Sequence, residues 1–319
     1  VRRAKRRIDE FLERVDRTEL VASWRHAANA TAREIRRLEG VDLSEYEFVL
    51  LARQTHPLLR ALILRAEQQN VPVVYVPHSP LTDFQVDLPV SLAAMRGEAE
   101  VDHIASVTGA DVSRMAVVGN PATDVTRADP PALTGPPVFA VSPDPEPLLR
   151  RMFSLLSDAG LESVVVAPHP RSDVAMLERL MPRTWSLRRG GRTVDLLREG
   201  PRCVLQASSG VAWESAALGI PTADIRLDIQ SPVYPFLRDE RAFPAIRRPE
   251  DVRDFTEGVF SIDRDALRKR ALLWCASDGS EAAGRLRDLL RAPRPADERI
   301  VDAWAPGGVL RTASPLAGL

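Results

Sequence analysis

The sequence has 319 residues but only two cysteines, two lysines and no long apolar run. Two cysteines, Cys203 and Cys275, leave no disulfide framework, and no CxxC pair suggests a zinc site. Cys203 sits in an apolar run and Cys275 near a helix end, so both read as small buried hydrophobes. No stretch reaches the roughly 18 apolar residues a membrane-spanning helix needs. The charged opening lacks the apolar core of a secretion signal, which predicts a cytoplasmic protein. Lys5 and Lys269 are the only lysines, so nearly all positive charge is arginine, a pattern that fits GC-rich coding bias. The net charge of −1 lacks the basic surplus of a nucleic-acid binder and argues against such a partner.

What remains is an ordinary soluble composition, 45% hydrophobic and 27% charged, in a chain long enough for two cores. Residues 1–40 read as charged helix with Ile8, Leu12, Val15, Leu20 and Trp24 as sparse apolar positions. The Arg2–Arg7 cluster is read as a solvated helix face, with contact to an anionic membrane surface as the alternative. Strands are expected at Glu47–Ala52, Val71–Val76 and Met115–Val118, and helices at Leu58–Gln69 and Leu88–Glu100. This alternation predicts βαβ units and a parallel sheet. Thr126–Pro137 (TRADPPALTGPP) punctuates the chain, because its prolines and glycine continue neither element.

A second α/β series follows. Strands are expected at Val138–Val141, Ser163–Ala167, Thr184–Leu187, Cys203–Gln206 and Thr222–Ile225. Helices are expected at Glu146–Ala159, Asp173–Leu180, Val194–Arg198, Val211–Leu218, Pro249–Glu257, Asp263–Trp274 and Ser280–Arg291. The Pro-, Gly- and Ala-rich residues from Pro293 onward read as an extended tail. The domain reading is therefore 1–127, a linker at 128–137, 138–291, and a tail at 292–319.

Two junctions in the second series carry the chemistry. The run Ser163–Ala167 ends in Pro168-His169-Pro170-Arg171, and the run Cys203–Gln206 ends at Ser208-Ser209-Gly210, which opens a helix carrying Glu214. Open α/β sheets place ligands at the carboxyl ends of their strands. The N–H groups after Ser208 would stand at a helix N-terminus, ready for an anion. A histidine, an arginine and two hydroxyls beside it suit a phosphate.

Three segments resemble the GT-B glycosyltransferases, nearest to the bacterial capsule, Kdo and sialic-acid transferases and the CDP-glycerol glycerophosphotransferases of teichoic acid synthesis. They are Gly119-Asn120-Pro121-Ala122-Thr123-Asp124, Ala167-Pro168-His169-Pro170-Arg171, and the run from Ser208-Ser209-Gly210 through Glu214 to Leu218-Gly219-Ile220-Pro221. Val76-Pro77-His78 is similar to a first-domain strand end of that family, with Ser79 where glycine is usual. The resemblance spans roughly Glu47 to Arg291 in order. It implies an α/β fold of two Rossmann-like domains facing a cleft, with the N-terminal domain incomplete or atypical because the chain opens on a helix. It also implies that His169 meets the donor phosphate, that Ser208 and Ser209 hold phosphate, and that Glu214 lies near the nucleotide.

The implied activity is transfer of a sugar or related group from a nucleotide-activated donor to a glycan or lipid-linked acceptor, as in bacterial surface polysaccharide synthesis. CMP or CDP donors are favoured over UDP, and no cofactor or obligatory metal is called for. His78 is the candidate general base, since an imidazole can take a hydroxyl proton at neutral pH. Asp83 is a second candidate base or an orienting partner for His78. Each residue also has a structural alternative. His169 and His78 can simply pack, Arg171 can be solvated, and Ser208 and Ser209 can cap the helix. Gly210 allows close backbone approach, and Glu214 also suits the helix dipole. Two rival functions stand beside this one: a UDP-N-acetylglucosamine 2-epimerase-like isomerase, and a non-catalytic nucleotide-binding module.

Overall fold

The computed structural model describes residue 6 and residues 21–53, 56–82, 90–120, 130–227, 234–275 and 282–291. Asp83, residues 121–124 of the Gly119 segment, the apolar positions Ile8 to Leu20, the side chain of Trp24, residues 126–129 and the expected tail lie outside the described residues. After helix α1 (Val21–Leu38) the chain builds a first parallel sheet. Its strands are β1 (Val49–Leu51), β2 (Val73–Tyr75), β3 (Leu92–Met95) and β4 (Met115–Val117), side by side in chain order.

Helix α2 (Pro57–Gln68) crosses from β1 to β2. Proline at its first position and the His56 ring, which accepts from the Leu58 N–H, fix its start. Helix α3 (Glu98–Thr108) crosses from β3 to β4 and stops at Gly109, whose φ of +67° is left-handed. Ile63, Val73, Tyr75, Met95 and Ile104 form the core of this unit, and α1 packs on α2.

One expectation fails here. The segment Leu88–Glu100 reads as helix because Leu, Ala and Met favour it, yet Leu92–Met95 is strand β3. Its neighbours on both sides, β2 and β4, supply the pairing that overrides propensity. The helix starts only after Gly97.

The second sheet contains β5 (Val138–Val141), β6 (Val165–Pro168), β7 (Ser186–Leu187), β8 (Val204–Gln206), β9 (Thr222–Ile225) and β10 (Ala245–Ile246). Every pairing is parallel and the order is β10-β9-β8-β5-β6-β7. The sequence reading lacks β10, because two residues carry too little pattern to register. The crossing helices are α4 (Glu146–Asp158), α5 (Val174–Leu180), α6 (Thr193–Arg198) and α7 (Val211–Ala217). Helices α8 (Pro249–Gly258), α9 (Arg264–Trp274) and α10 (Ala282–Arg291) follow.

This sheet is buried on both faces, which is why its strands read as continuous apolar runs rather than alternating ones. Phe139 is fully buried and meets Phe153 edge-on, with ring centroids 5.5 Å apart. Each such side chain contributes about 2–3 kcal/mol of burial. The strand order reverses direction between β5 and β8, and that reversal marks the ligand crevice in folds of this kind. The residues before β5 are tied to the same unit. Gly135 donates to the Gly200 carbonyl at 2.8 Å, and Arg264 Nη2 donates to the Pro131 carbonyl at 2.8 Å. Among the described residues, no helix is long and apolar enough to cross a membrane.

Candidate functional site

At the switch point β5 runs into Ser142-Pro143-Asp144, β6 into His169, and β8 into Ser208 and Ser209. The His169 N–H donates to the Val141 carbonyl at 3.0 Å, and Ser142 Oγ donates to the Ala207 carbonyl at 3.3 Å. Ser142 therefore stands between the two sequence-predicted loops. These are two strand spacings apart, about 10 Å. Asp144, half-buried beyond Ser142, has its carboxyl pKa raised by burial.

The His169 ring is held by the turn that follows it. The Arg171 N–H donates to Nδ1 at 3.1 Å, so a neutral imidazole carries its proton on Nε2. Burial, and then the Arg171 guanidinium, lower its pKa. The ring is thus set up as a neutral donor to an anion. Arg171 is exposed beside it.

Ser208 has φ of +46°, a left-handed conformation that costs a non-glycine residue about 1–2 kcal/mol. A buried network holds it there. Asp224 Oδ1 accepts from the Ser208 N–H and from Gln206 Nε2, each at 3.0 Å. Gln206 Oε1 accepts from the Ser209 N–H at 2.6 Å, and Arg226 Nε donates to Asp224 Oδ2 at 2.8 Å. Gln206 and Asp224 are fully buried. Burial raises the Asp224 pKa, against the opposing pull of Arg226 and the N–H donors.

Of the N–H groups after Ser208, that of Ser209 is bonded to Gln206 and that of Val211 lies 3.4 Å from Ser209 Oγ, so the helix start is partly capped from within. The network also explains why the turn keeps its shape without glycine at Ser208.

Gly210 faces the first sheet. A Cβ added to it would lie 3.1 Å from Cδ and Cγ of Pro80. The turn after β2, which carries His78, therefore closes on the serine turn. His78 is exposed, and its Nδ1 lies 2.8 Å from the Ala52 carbonyl. With the proton on Nδ1 shared with that carbonyl, Nε2 is left as an acceptor facing outward. That tautomer is the one a general base requires.

Glu214, on the first turn of α7, is half-buried, and burial pushes its carboxyl up to about 7 while Arg96 opposes the shift. Arg96 stands at the end of β3, with its guanidinium carbon 5.8 Å from the centre of the Trp213 ring. Sequence reading missed Arg96, Ser142, Gln206 and Asp224. Ser142 was findable, since it follows an apolar strand just as His169 does. Asp224, a lone acid in the strand Thr222–Ile225, was a weaker signal.

Glu214 yields a stability prediction. Its folded pKa of about 7 lies above the ordinary 4.5, so the native state keeps a proton that the unfolded chain releases. Stability falls as pH rises through that window, by at most about 3 kcal/mol for a group only half-buried. Glu214→Gln is expected to raise the urea midpoint at pH 8 and leave it unchanged at pH 4. Equal midpoints at pH 8 contradict the assignment.

Two other features stand apart from the site. Cys203 is buried, and its thiol is pushed up to about 12 by that burial, which makes it a poor nucleophile. A cavity of about 610 Å³ lined by Leu133, Pro136, Leu161, Arg202 and Phe260 lies at the amino ends of β5, β6 and β8. That is the opposite edge from the switch point.

No family model matches the chain, and no curated protein matches it in sequence. Solved structures share its fold. A putative UDP-N-acetylglucosamine 2-epimerase from Listeria monocytogenes aligns with TM-score 0.57 at 15% identity, over 86% of this chain and 82% of that one. The calicheamicin glycosyltransferase CalG4 aligns with TM-score 0.56 at 15% identity, over the same shares of each chain. S. aureus MnaA, solved with UDP, aligns with TM-score 0.54 at 14% identity, over 85% and 82%. The chain has the α/β GT-B-like fold of these proteins.

Proposed function

We propose that the chain is a transferase that takes a sugar or related group from a nucleotide-activated donor and passes it to a glycan or lipid-linked acceptor. The observation that carries this is the approach of two strand ends, Pro80 of the His78 turn lying against Gly210 of the serine turn. His169 offers an Nε2–H donor on the second sheet's carboxyl edge, and His78 offers an Nε2 acceptor on the turn closing over that edge.

In this reading the donor phosphate lies near Ser142, His169 and the hydroxyls of Ser208 and Ser209, with Arg171 adding charge. Glu214 takes the nucleotide side. His78 accepts the proton of the acceptor hydroxyl while its oxygen bonds to the donor carbon. The carbon–oxygen bond to phosphate breaks, and the nucleotide leaves with the added charge, which His169 stabilises. Asp83 is retained as a second base or an orienting partner for His78. Fixed donors of this kind balance the leaving charge without an obligatory metal. Contact with a membrane surface, where a lipid-linked acceptor would be met, belongs to the same proposal. The family resemblance supports cytidine nucleotides, and the fold neighbour solved with UDP supports uridine ones.

Calorimetric titration with CMP, CDP and UDP tests this. At least one nucleotide is expected to bind, and His169→Ala is expected to weaken it by about tenfold or more, the loss of a charge-assisted hydrogen bond. Absence of binding by all three at millimolar concentration contradicts the proposal.

A 2-epimerase reading is favoured by the fold likeness to the putative UDP-N-acetylglucosamine 2-epimerase. Against it, Glu100, an acid near the first-sheet edge, is engaged in an ion pair with Arg96. Release of UDP or formation of the 2-epimer from UDP-N-acetylglucosamine decides between the two.

A further inference from the structure

The side chain of Arg96 is only 4% exposed, and that of Glu100, its partner four residues on, 3%. The Arg96 backbone N–H and Nε each donate to Glu100 Oε2 at 3.1 Å, and Nη2 pairs with Oε1. Burying such a pair adds little stability, because desolvation of both charges offsets their attraction. What the pair does provide is a guanidinium held in one orientation. Nη2 also donates to the carbonyl of Ser79 at 2.7 Å, and Ser79 lies between His78 and Pro80. The plane approaches Trp213, the residue before Glu214.

Neighbouring contacts hold the same geometry from both ends. Pro80 sits against Gly210 at the serine turn. Gly97, next to Arg96, lies against the backbone of Leu273 to Cys275, so close that a Cβ would fall 2.3 Å from the Leu273 carbonyl oxygen. Arg96 is therefore fixed through its backbone to α9, through Nη2 to the His78 turn and through its plane to α7.

We propose that Arg96 is a positioning residue of the cleft, fixing the turn that carries His78 against the helix that carries Glu214; this rests on the reading that the cleft holds a nucleotide donor. It touches neither the donor phosphate nor the acceptor hydroxyl in that reading. A lysine cannot take its place, because an ammonium group lacks the planar fork that reaches Glu100 and Ser79 together.

The test uses the full chain and Arg96→Lys, with amide hydrogen exchange and the His78 ring ¹⁵N resonances as readouts. Exchange at His78 and Leu81 is expected to accelerate by about tenfold or more while the amides of β5, β6 and β8 keep their rates. The His78 ring signals are expected to shift. The dissociation constant for CDP or UDP is expected to change by less than about threefold, since the phosphate contacts sit on the second sheet. Unchanged exchange and unchanged His78 signals overturn the inference. So does acceleration spread evenly through both sheets, which marks a merely structural residue. If Arg96→Lys does not fold, Glu100→Gln, which keeps an acceptor oxygen but removes the charge that orients the guanidinium toward Ser79, must give the same local acceleration, and its absence overturns the inference equally. Failure of the wild-type protein to bind any nucleotide overturns the functional reading instead, and is seen separately in the titration.

Discussion

Asp224→Ala is expected to destabilise the protein by about 3–5 kcal/mol and to remove nucleotide binding. The substitution strips one buried acceptor from three donors at once: the Ser208 N–H, Gln206 Nε2 and Arg226 Nε. Arg226 keeps Glu240 and the Leu237 carbonyl, which softens the loss on its side. Of the two remaining donors, Gln206 Nε2 is fully buried and cannot reach water, while the Ser208 N–H is partly buried. Without Asp224 the Ser208 N–H loses the acceptor that holds its left-handed conformation, and only the Gln206 bond to Ser209 remains to direct the serine hydroxyls. Asp224→Asn retains an acceptor oxygen while losing the charge opposite Arg226, and is expected to fall between alanine and wild type. Denaturant unfolding and a CDP or UDP titration of both variants check this. An alanine variant that binds nucleotide as tightly as wild type contradicts the role given to the turn.

Gly97→Ala is expected to cost about 3 kcal/mol or more. The added methyl group would lie 2.3 Å from the Leu273 oxygen, 2.5 Å from the Trp274 carbonyl carbon and 2.8 Å from the Cys275 nitrogen. These are backbone atoms and cannot rotate away, so overpacking moves a whole helix end rather than one side chain. The backbone at Gly97 is extended, with φ of −153°, a conformation any residue adopts. Close approach alone therefore demands glycine. For a chain of this size the melting temperature is expected to fall by about 4–5 °C or more. Gly258→Ala, at the end of α8 with open space around it, is the control and is expected to be neutral or slightly stabilising. Equal melting temperatures for Gly97→Ala and wild type contradict the close packing of Gly97 against the end of α9.

Much of the second sheet was legible because its strands are short β-branched runs bounded by glycine and proline. Val138–Val141 and Thr222–Ile225 lie where the pattern places them. Leu92–Met95 was not legible, since Leu-Ala-Ala-Met carries helical propensity and becomes a strand only through its neighbours. The same contrast holds at the site. His169 stands out because a strand ends at Pro168, a local signal. Arg96 and Asp224 act through partners 17 and 16 residues away, which no local pattern shows. The bonds from the Ser208 and Ser209 N–H groups to the Asp224 and Gln206 side chains were not legible for that reason, since their partners arrive from β9 and β8 rather than from the turn itself.

The central claim is that the carboxyl ends of β5, β6 and β8 together hold one phosphorylated nucleotide under the His78 turn. A crystal structure of the chain soaked with CDP and, separately, with UDP tests it most directly. The account predicts a phosphate within about 3 Å hydrogen-bonding reach of His169 Nε2 and of a hydroxyl among Ser142, Ser208 and Ser209. A nucleotide seated elsewhere, such as beside Arg202 and Phe260 at the opposite edge of the sheet, contradicts it.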